Sequence, residues 1–444
     1  MSETLDQWID RQYRYAAAAM QPSISATDIV KSRPGFGQTV RPVRGSVVAS
    51  PVLAAYDPDP DYFFHWYRDS AVVMDALRLL FEDGVVGDGA TAQLGDFVRF
   101  SLSLHKLDGR ALIAESGWRA KVASGFVQYL RDDSELASVR GDAVAAETRV
   151  NPDGTLDISR WARPQHDGPP LRALTLMRWS HALPADAALQ RDLAALVRAD
   201  LSFTLRHGHE SCYDIWEEES GQHYYTLRVS AAALEAGASW LQARGASDDV
   251  QAHRAAAAAL LQTLDGFWRA EAGYFRSRML SSEARSTKEL DIAVILAAIH
   301  AHGQGNAHSV RDSRMQATLA RLEALFESAY PINHNRAAGT GPAMGRYAGD
   351  VYYSGGAYFF STLGAAEFCF RAAEGARDSR AWIERGDAYL ATVRSYALPA
   401  GDLSEQFDQR TGAQTSARHL AWSYAAFISC VAARRAVSMA SHKS

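Results

Sequence analysis

The amino-acid sequence predicts an all-α fold, an (α/α)6 toroid of about twelve helices, on three observations. Apolar residues recur with the helical period in about twelve segments spread over the whole chain. No strand signal alternates regularly with helix, which disfavours a doubly wound sheet, a TIM barrel or a sandwich. Polar and aromatic residues are concentrated in every second connection, and if consecutive helices run up and down, these loops emerge at one end.

The predicted helices share one pattern of apolar faces and end signals. In the second helix, Val73, Ala76 and Leu80 belong to one apolar face, and Gly84 can end the helix. The twelve segments lie near residues 3–19, 69–82, 91–106, 170–183, 187–207, 222–243, 248–270, 287–302, 313–328, 354–374, 379–395 and 416–437.

Composition bounds the class of protein. The chain has 444 residues, 47% of them hydrophobic, so it can bury a large core, and its net charge of −5 gives no positive stripe for nucleic acid. No run of about 18 apolar residues predicts a membrane span. The amino terminus is acidic and polar, unlike a secretory signal, and three cysteines in unrelated contexts favour a reducing compartment. We therefore expect a cytoplasmic protein that binds neither nucleic acid nor membrane, and the oligomeric state stays open.

Six connections carry most of the chemically active side chains. They precede the second, fourth, sixth, eighth, tenth and twelfth predicted helices, whereas the intervening connections are short or bland. Their residues are 62–69, 161–168, 213–219, 274–285, 345–353 and 403–408.

Tryptophan and charge occur together in these loops. Sugars are recognised by aromatic faces and by charged groups that hydrogen-bond hydroxyls, and both are present. Any single tryptophan could equally anchor a loop by burying its large ring. Joint occurrence favours a carbohydrate site, and the four tryptophans beside charged segments are Trp66, Trp161, Trp216 and Trp422.

One acidic run follows Trp216 and comprises Glu217, Glu218 and Glu219. Its simplest interpretation is a favourable interaction with the dipole of a helix that begins near Gln222. The alternative is that the apolar flank before the run excludes water from one carboxyl, which suits a general acid.

A single carboxyl, Glu405, lies among small, amide and aromatic residues before the last predicted helix. Two carboxyls are the minimum apparatus for glycoside hydrolysis, one to protonate the leaving oxygen and one to activate water or attack the sugar. The toroid would bring the loops of Glu217 and Glu405 to the same end.

Several motifs, in their order and spacing, resemble the catalytic domain of the glucoamylases, glycoside hydrolase family 15, and more the fungal type than the bacterial one. The resemblance covers nearly the whole chain and implies that residues 1–444 form one catalytic domain. The motifs occupy residues 45–51, 62–70, 163–169, 213–218, 345–353 and 416–425.

The resemblance implies an inverting, exo-acting α-glucoside hydrolase of the glucan 1,4-α-glucosidase type. Glu217 would be the general acid and Glu405 the general base, and Glu218 would bind the sugar on the leaving-group side. Three residues would hold the terminal glucose, namely Arg68, Asp69 and Arg346. The aromatic lining would comprise Tyr62, Trp66, Trp161, Trp216 and Trp422, and Asp167 from the 163–169 motif is counted with the substrate-binding residues.

Two departures from the family pattern affect substrate preference. Tyr358 stands where the fungal pattern has a tryptophan, and Gly349 replaces an acidic residue beside Asp350. The sequence shows no secretion signal, serine- and threonine-rich linker or starch-binding domain. We therefore expect soluble maltooligosaccharides or glucan fragments as substrates rather than granular starch.

Three other functions remain open from the sequence. The first is specificity for α-1,6 linkages such as those of isomaltose or dextran fragments, and the second is a catalytically silent carbohydrate-sensing domain. The third is a trehalase-like or phosphorolytic enzyme, against which Glu405 argues because phosphorolysis needs an anion site there. We expect no cofactor and no metal, since His300 and His302 are two residues apart and would face different directions on a helix.

Overall fold

The computed structural model describes residues 3–55, 58–115, 117–183, 187–246, 249–280, 286–303 and 305–441. Its α-helices in this part of the chain are α1 (Leu5–Met20), α2 (Tyr67–Glu82), α3 (Gly89–Leu104), α4 (Gly109–Ala114), α5 (Asp133–Ser138), α6 (Asp142–Ala145), α7 (Gly168–Ala182), α8 (Ala187–His207), α9 (Tyr224–Gln242), α10 (Val250–Asp265), α11 (Ala293–His300), α12 (Ser313–Ala329), α13 (Pro331–His334), α14 (Phe359–Ala373), α15 (Ser379–Tyr396) and α16 (Ala421–Ser441).

Six of these helices form a closed inner ring. Each packs against the next in the order α2, α7, α9, α11, α14 and α16, and α16 packs back against α2. Six others pack outside: α1 on α16, α3 on α8 and α2, α8 on α7, α10 on α9, α12 on α11 and α15 on α14. This double ring of twelve helices confirms the predicted (α/α)6 toroid.

The sequence pattern explains which helices are inside. In the ring helix α14, Phe359 to Cys369 are all buried, so the helix is in contact with protein on every side. The outer helix α12 buries a single stripe, formed by Met315, Leu319, Leu322 and Phe326. Their spacing of three or four residues places them on one helical face, with the polar face left to solvent.

Short strands, which the sequence did not predict, brace the connections. They are β1 (Lys31–Arg33), β2 (Gln38–Val40), β3 (His65–Trp66), β4 (Arg149–Val150), β5 (Cys212–Tyr213), β6 (Ser220–His223), β7 (Trp268–Arg269), β8 (Tyr274–Phe275), β9 (Arg278–Leu280), β10 (Ala357–Tyr358), β11 (Gln406–Phe407) and β12 (Gln414–Thr415). All pairings are antiparallel, in the orders β1-β2, β3-β4, β5-β6-β9, β7-β8 and β10-β11-β12. Strands of two to four residues are too short to show an alternating pattern in the sequence.

Three predicted helices begin too early because turns, bends or a short strand precede them. The predicted helix 287–302 is observed as Ala293–His300, and the one at 354–374 begins only at Phe359, directly after β10. The last predicted helix, 416–437, is observed as Ala421–Ser441. The predicted loop at 274–285 contains β8 and β9, and residues 281–285 lie outside the described part of the chain. The extent of the single predicted domain, 1–444, stays a prediction.

A buried ion pair joins the inner ring to the outer one. On α7, the Arg172 guanidinium donates to both carboxylate oxygens of Asp200 on α8, at 2.9 and 2.7 Å. Both side chains are at most 1% exposed. Removing one partner from such a pair leaves an uncompensated buried charge.

We therefore expect Asp200→Ala to lower the free energy of unfolding by about 3–5 kcal/mol. Guanidinium chloride unfolding followed by circular dichroism measures this change. The double variant Arg172→Met with Asp200→Leu, which removes both charges, should recover most of the loss. A loss below about 1 kcal/mol for Asp200→Ala would contradict the importance of the pair.

Candidate active site

A cavity of about 220 Å³ opens among the loops that precede the ring helices. The loops before α2, α7, α9, α14 and α16 contribute to its wall, and these are five of the six loops predicted to meet at this end; none of the described residues of the sixth, 274–285, lines the cavity. Its lining residues are Ala49, Tyr62, Trp66, Arg68, Asp69, Trp161, Ile215, Trp216, Glu217, Glu218, Arg346, Tyr352, Phe360, Glu405, Leu420 and Trp422. The volume is below the roughly 300–1,000 Å³ of pockets for drug-sized ligands and suits one small polar unit.

The acidic run lies at the tip of a β-hairpin formed by β5 and β6. The Asp214 carboxylate accepts the backbone N–H groups of Glu218 and Glu219, at 2.7 and 2.9 Å, which fixes the turn. Glu217 has φ +66°, a left-handed conformation that is uncommon outside glycine. Since β6 separates the run from α9, which begins at Tyr224, the helix-dipole interpretation of the run is wrong.

Three segments donate hydrogen bonds to the Glu217 carboxylate. The Trp66 indole N–H donates to Oε1 at 2.8 Å, and an Arg68 guanidinium N–H donates to the same oxygen at 3.1 Å. The Trp161 indole N–H donates to Oε2. The carboxyl is therefore oriented through both oxygens before any ligand binds.

Arg68 and Asp69 occupy the first turn of α2 and contact each other at 3.2 Å. Burial raises the pKa of Asp69 to about 6, in spite of the opposing effect of Arg68. The Oδ2 atom of Asp69 faces Arg68 in this ion pair but forms no hydrogen bond to the described residues, and Asp69 lines the cavity. A buried acceptor that forms no hydrogen bond is available to a ligand hydroxyl.

Asp167 lies behind this pair instead of on the cavity wall. Its carboxylate accepts from Arg68 at 3.3 Å, and Gln165 accepts from the same guanidinium nitrogen at 3.1 Å. Burial raises the pKa of Asp167. Its geometry supports the orientation of Arg68, and its predicted contact with substrate stays a prediction.

Glu405 lies in the loop before β11 and is buried, with 7% of its surface exposed. The Tyr62 hydroxyl donates to Oε1 at 3.2 Å, and the Ser416 hydroxyl donates to Oε2. Burial raises the pKa of Glu405 to about 7, since desolvation of the charged form outweighs these two donors. The Glu405 carboxyl therefore changes its protonation state near neutral pH.

Glu218 is the most heavily bonded carboxylate of the hairpin. It accepts from Arg346 at 3.1 Å, from Lys288 at 2.8 Å and from the Tyr347 hydroxyl at 2.6 and 2.8 Å. Asp350 fixes the Arg346 guanidinium from the other side, through two contacts of 2.6 Å. The two cations neutralise Glu218 and hold it at the cavity wall.

Aromatic stacking forms one side of the cavity. Phe360 lies between Trp422, at 4.5 Å and 9° between ring planes, and Trp216, at 5.9 Å and 24°. The Trp216 indole N–H donates to both oxygens of Asp291, at 3.1 and 2.9 Å. These contacts fix the two tryptophan rings whose positions the sequence predicted.

Of the twelve predicted site residues, all except Asp167 line the cavity. Sequence reasoning missed Ser416, Lys288 and Tyr347, which contact the predicted carboxyls, and Tyr352, whose hydroxyl lies 2.9 Å from that of Tyr62. Tyr347 and Tyr352 lie in the loop 345–353, one of the six loops rich in polar and aromatic residues, so their proximity to Arg346 in the sequence was the available signal. Ser416 is the first residue of the 416–425 motif, so that motif was its signal, whereas Lys288 carried none.

Tyr358, noted for its departure from the fungal pattern, does not line the cavity. Its hydroxyl donates to Asp350 at 3.1 Å and accepts from the Gln406 amide at 2.8 Å. Among the residues that the structure describes, no cluster of three or more His, Cys, Asp or Glu side chains could hold a metal ion. In the same residues, no helix is long and apolar enough to cross a bilayer.

Two carboxyls line one cavity at the mouth of a helical toroid, among aromatic rings and bonded cations, and this is the arrangement that a glycoside hydrolase uses. The family model of glycosyl hydrolases family 15 matches residues 146–384 and 374–432. The chain belongs to that family.

Two fungal glucoamylases are similar in sequence to this chain. The chain is 25% identical to glucoamylase 1 of Rhizopus oryzae, over 96% of this chain and 70% of that protein. It is 29% identical to the glucoamylase of Neurospora crassa, over 88% of this chain and 63% of that protein. The chain thus spans about two thirds of the length of these relatives.

The fold is also found in a solved structure. The glucoamylase of Hormoconis resinae superposes with a TM-score of 0.77 at 25% identity, covering 98% of this chain and 74% of that one. The predicted resemblance to the fungal branch of family 15 is confirmed.

The buried Glu405 carboxyl makes stability depend on pH. In the unfolded chain it titrates near 4.5, whereas in the folded chain its pKa is about 7. Between these values only the folded chain keeps the proton, so the free energy of unfolding falls as pH rises, by at most about 1.4 kcal/mol per pH unit.

We expect Glu405→Gln to gain stability relative to the wild type as pH rises from about 5 to about 8. Guanidinium chloride unfolding at both pH values measures the difference. Glu271→Gln, which removes an exposed carboxyl, is the control and should show no such gain. A constant difference between Glu405→Gln and the wild type at both pH values would contradict the burial effect.

Proposed function

We propose that this protein is an inverting glycoside hydrolase in which Glu217 protonates the glycosidic oxygen and Glu405 deprotonates the attacking water. The observation that carries the proposal is that both carboxyls line one small cavity together with Arg68 and Asp69. An inverting mechanism needs a general acid and a general base on opposite sides of the sugar, with room for water between them.

The chain is an exo-acting α-glucan glucohydrolase of the glucan 1,4-α-glucosidase type, as its family and relatives indicate. The proposed binding of the terminal glucose follows from the wall of the cavity. Asp69 Oδ2 forms no hydrogen bond to the described residues and offers an acceptor to a sugar hydroxyl, and Arg68, 3.2 Å away, lies beside it as a donor. The rings of Trp66 and Trp422 supply apolar faces for the C–H surfaces of the sugar.

The surroundings of the two carboxyls differ in ways that suit different roles. Glu405 has a pKa of about 7, which suits a base that must take a proton near neutral pH and release it afterwards. Glu217 is fixed by indole and guanidinium donors, so its orientation toward the leaving oxygen is set in advance. Burial alone could also make Glu405 the proton donor, and the family resemblance assigns it as the base. Which carboxyl is the acid and which is the base therefore requires a separate test.

Two substrates distinguish the acid from the base. Hydrolysis of maltose needs protonation of the leaving oxygen. In α-glucosyl fluoride the leaving group is fluoride, which departs without being protonated by the enzyme. We expect Glu217→Gln to lower kcat on maltose by about 10²–10⁴ and to keep most activity on α-glucosyl fluoride. Glu405→Gln should lose activity on both substrates, because both need an activated water.

Steady-state kinetics of the two variants with the two substrates provides the measurement. Glu271→Gln should match the wild type throughout, since that carboxyl is exposed and lies outside the cavity lining. If Glu405→Gln kept activity on the fluoride and Glu217→Gln lost it, the assigned roles would have to be exchanged. Full maltose activity in Glu217→Gln would remove this residue from the mechanism.

The alternative of α-1,6 specificity is not favoured, because the named relatives are glucoamylases. We propose soluble maltooligosaccharides or glucan fragments as substrates. The cytoplasmic location stays a prediction from the sequence.

A further inference from the structure

We infer that Arg149 is a positioning residue for the general acid, because it holds the two indoles that orient Glu217. The inference rests on the proposed function of Glu217. The Arg149 guanidinium carbon lies 3.6 Å from the ring centre of Trp161 and 4.8 Å from that of Trp66. One buried cation therefore contacts both tryptophans that bond the Glu217 carboxylate.

The two indoles bond different oxygens of the Glu217 carboxylate. Trp66 donates to Oε1 and Trp161 donates to Oε2 of Glu217. Trp161 is 37% exposed, so few other contacts fix its ring. It meets Trp66 edge to face, at 6.5 Å between centres, and meets Arg149 through its face. A desolvated cation on an aromatic face is attracted strongly, which makes Arg149 the main support of this ring.

Arg149 is itself rigidly held. It is 1% exposed, and its Nε donates to Asp157 at 2.9 Å, while Nη2 donates to the Ser159 hydroxyl at 3.3 Å. Its backbone lies in β4, directly opposite Trp66 in β3. The guanidinium position is therefore set by both the strand pairing and the carboxylate.

The surroundings allow Arg149 to be replaced without leaving a carboxylate unpaired. Asp157 also accepts from Arg163 at 2.9 Å, and this ion pair remains when Arg149 is removed. Methionine fills a comparable apolar volume and cannot stack as a cation. Lysine keeps the charge and loses the planar stacking of guanidinium on indole.

A second buried arginine provides a matched control. Arg131 is 2% exposed and bonds Glu147 at 2.9 Å through two N–H groups, and Arg163 bonds the same carboxylate at 2.7 Å. None of the ring contacts of Trp66 or Trp161 involves Arg131. Arg131→Met should thus lower the Tm and leave the kcat of the folded enzyme unchanged.

The test compares kcat and KM for maltose at a temperature well below each Tm. We expect Arg149→Met to lower kcat roughly 10- to 100-fold with KM changed less than about threefold, since the acid is misplaced more than the binding groups. Arg149→Lys should lie between the wild type and Arg149→Met. If Arg149→Met does not fold, Arg149→Lys must still lower kcat more than KM changes.

A double-mutant cycle tests the route of the effect. If Arg149 acts through the indoles, Arg149→Met should cost much less in a Trp161→Phe background than in the wild type. An undiminished loss in that background would overturn the inference, as would wild-type kcat in Arg149→Met or an equal loss of kcat in Arg131→Met.

Failure of the inference can be told from failure of the proposed function. Full activity of Glu217→Gln on maltose would overturn the function itself. Loss of activity in Glu217→Gln, together with unchanged kcat in Arg149→Met, would overturn only the role of Arg149.

Discussion

The hydrogen bonds to the Glu217 carboxylate are the contacts on which the rest of the site depends. They come from β3, from the first turn of α2 and from the loop before α7, so three segments must be in place at once. The carboxyl is carried on a hairpin whose left-handed residue costs of order 1–3 kcal/mol. Asp214 offsets that cost by bonding the next two backbone N–H groups. The closed helix ring keeps these segments together.

Two opposing electrostatic effects set the character of the cavity. Asp69 lies in the first turn of α2, where the helix dipole favours a negative charge by about 0.3–1 kcal/mol. Desolvation acts in the opposite direction, and it is larger, because the pKa of Asp69 is raised to about 6 and that of Glu405 to about 7. Carboxyls whose protonation can change near neutral pH are the result, and acid and base catalysis requires such groups.

The fold could be predicted because its signals are local and repeated. Helical periodicity identified the twelve helices of the double ring, and the concentration of polar and aromatic residues in every second loop placed the site at one end. The short strands were missed because two to four residues give no period. The acidic run beside Trp216 predicted that one of its three carboxyls is a catalytic acid. Choosing Glu217 over Glu218 and Glu219 needed the family resemblance.

The parts of the site that the sequence did not predict depend on contacts between residues that are distant in the sequence. Arg149 lies in an inconspicuous segment, and only its pairing opposite Trp66 brings it under the indoles. Ser416 opens the 416–425 motif, but its contact with Glu405 through the turn before α16 is a tertiary one that the motif does not show. The raised pKa of Glu405 is likewise a consequence of tertiary burial, which the sequence around it could not quantify.

The stereochemistry of the first product tests the central claim most directly. Proton NMR recorded during the first minutes of maltose hydrolysis distinguishes the two anomers of glucose before they interconvert. An acid at Glu217 and a base at Glu405 predict that β-glucose appears first. Initial release of α-glucose would mean a retaining mechanism and would contradict the proposed role of Glu405.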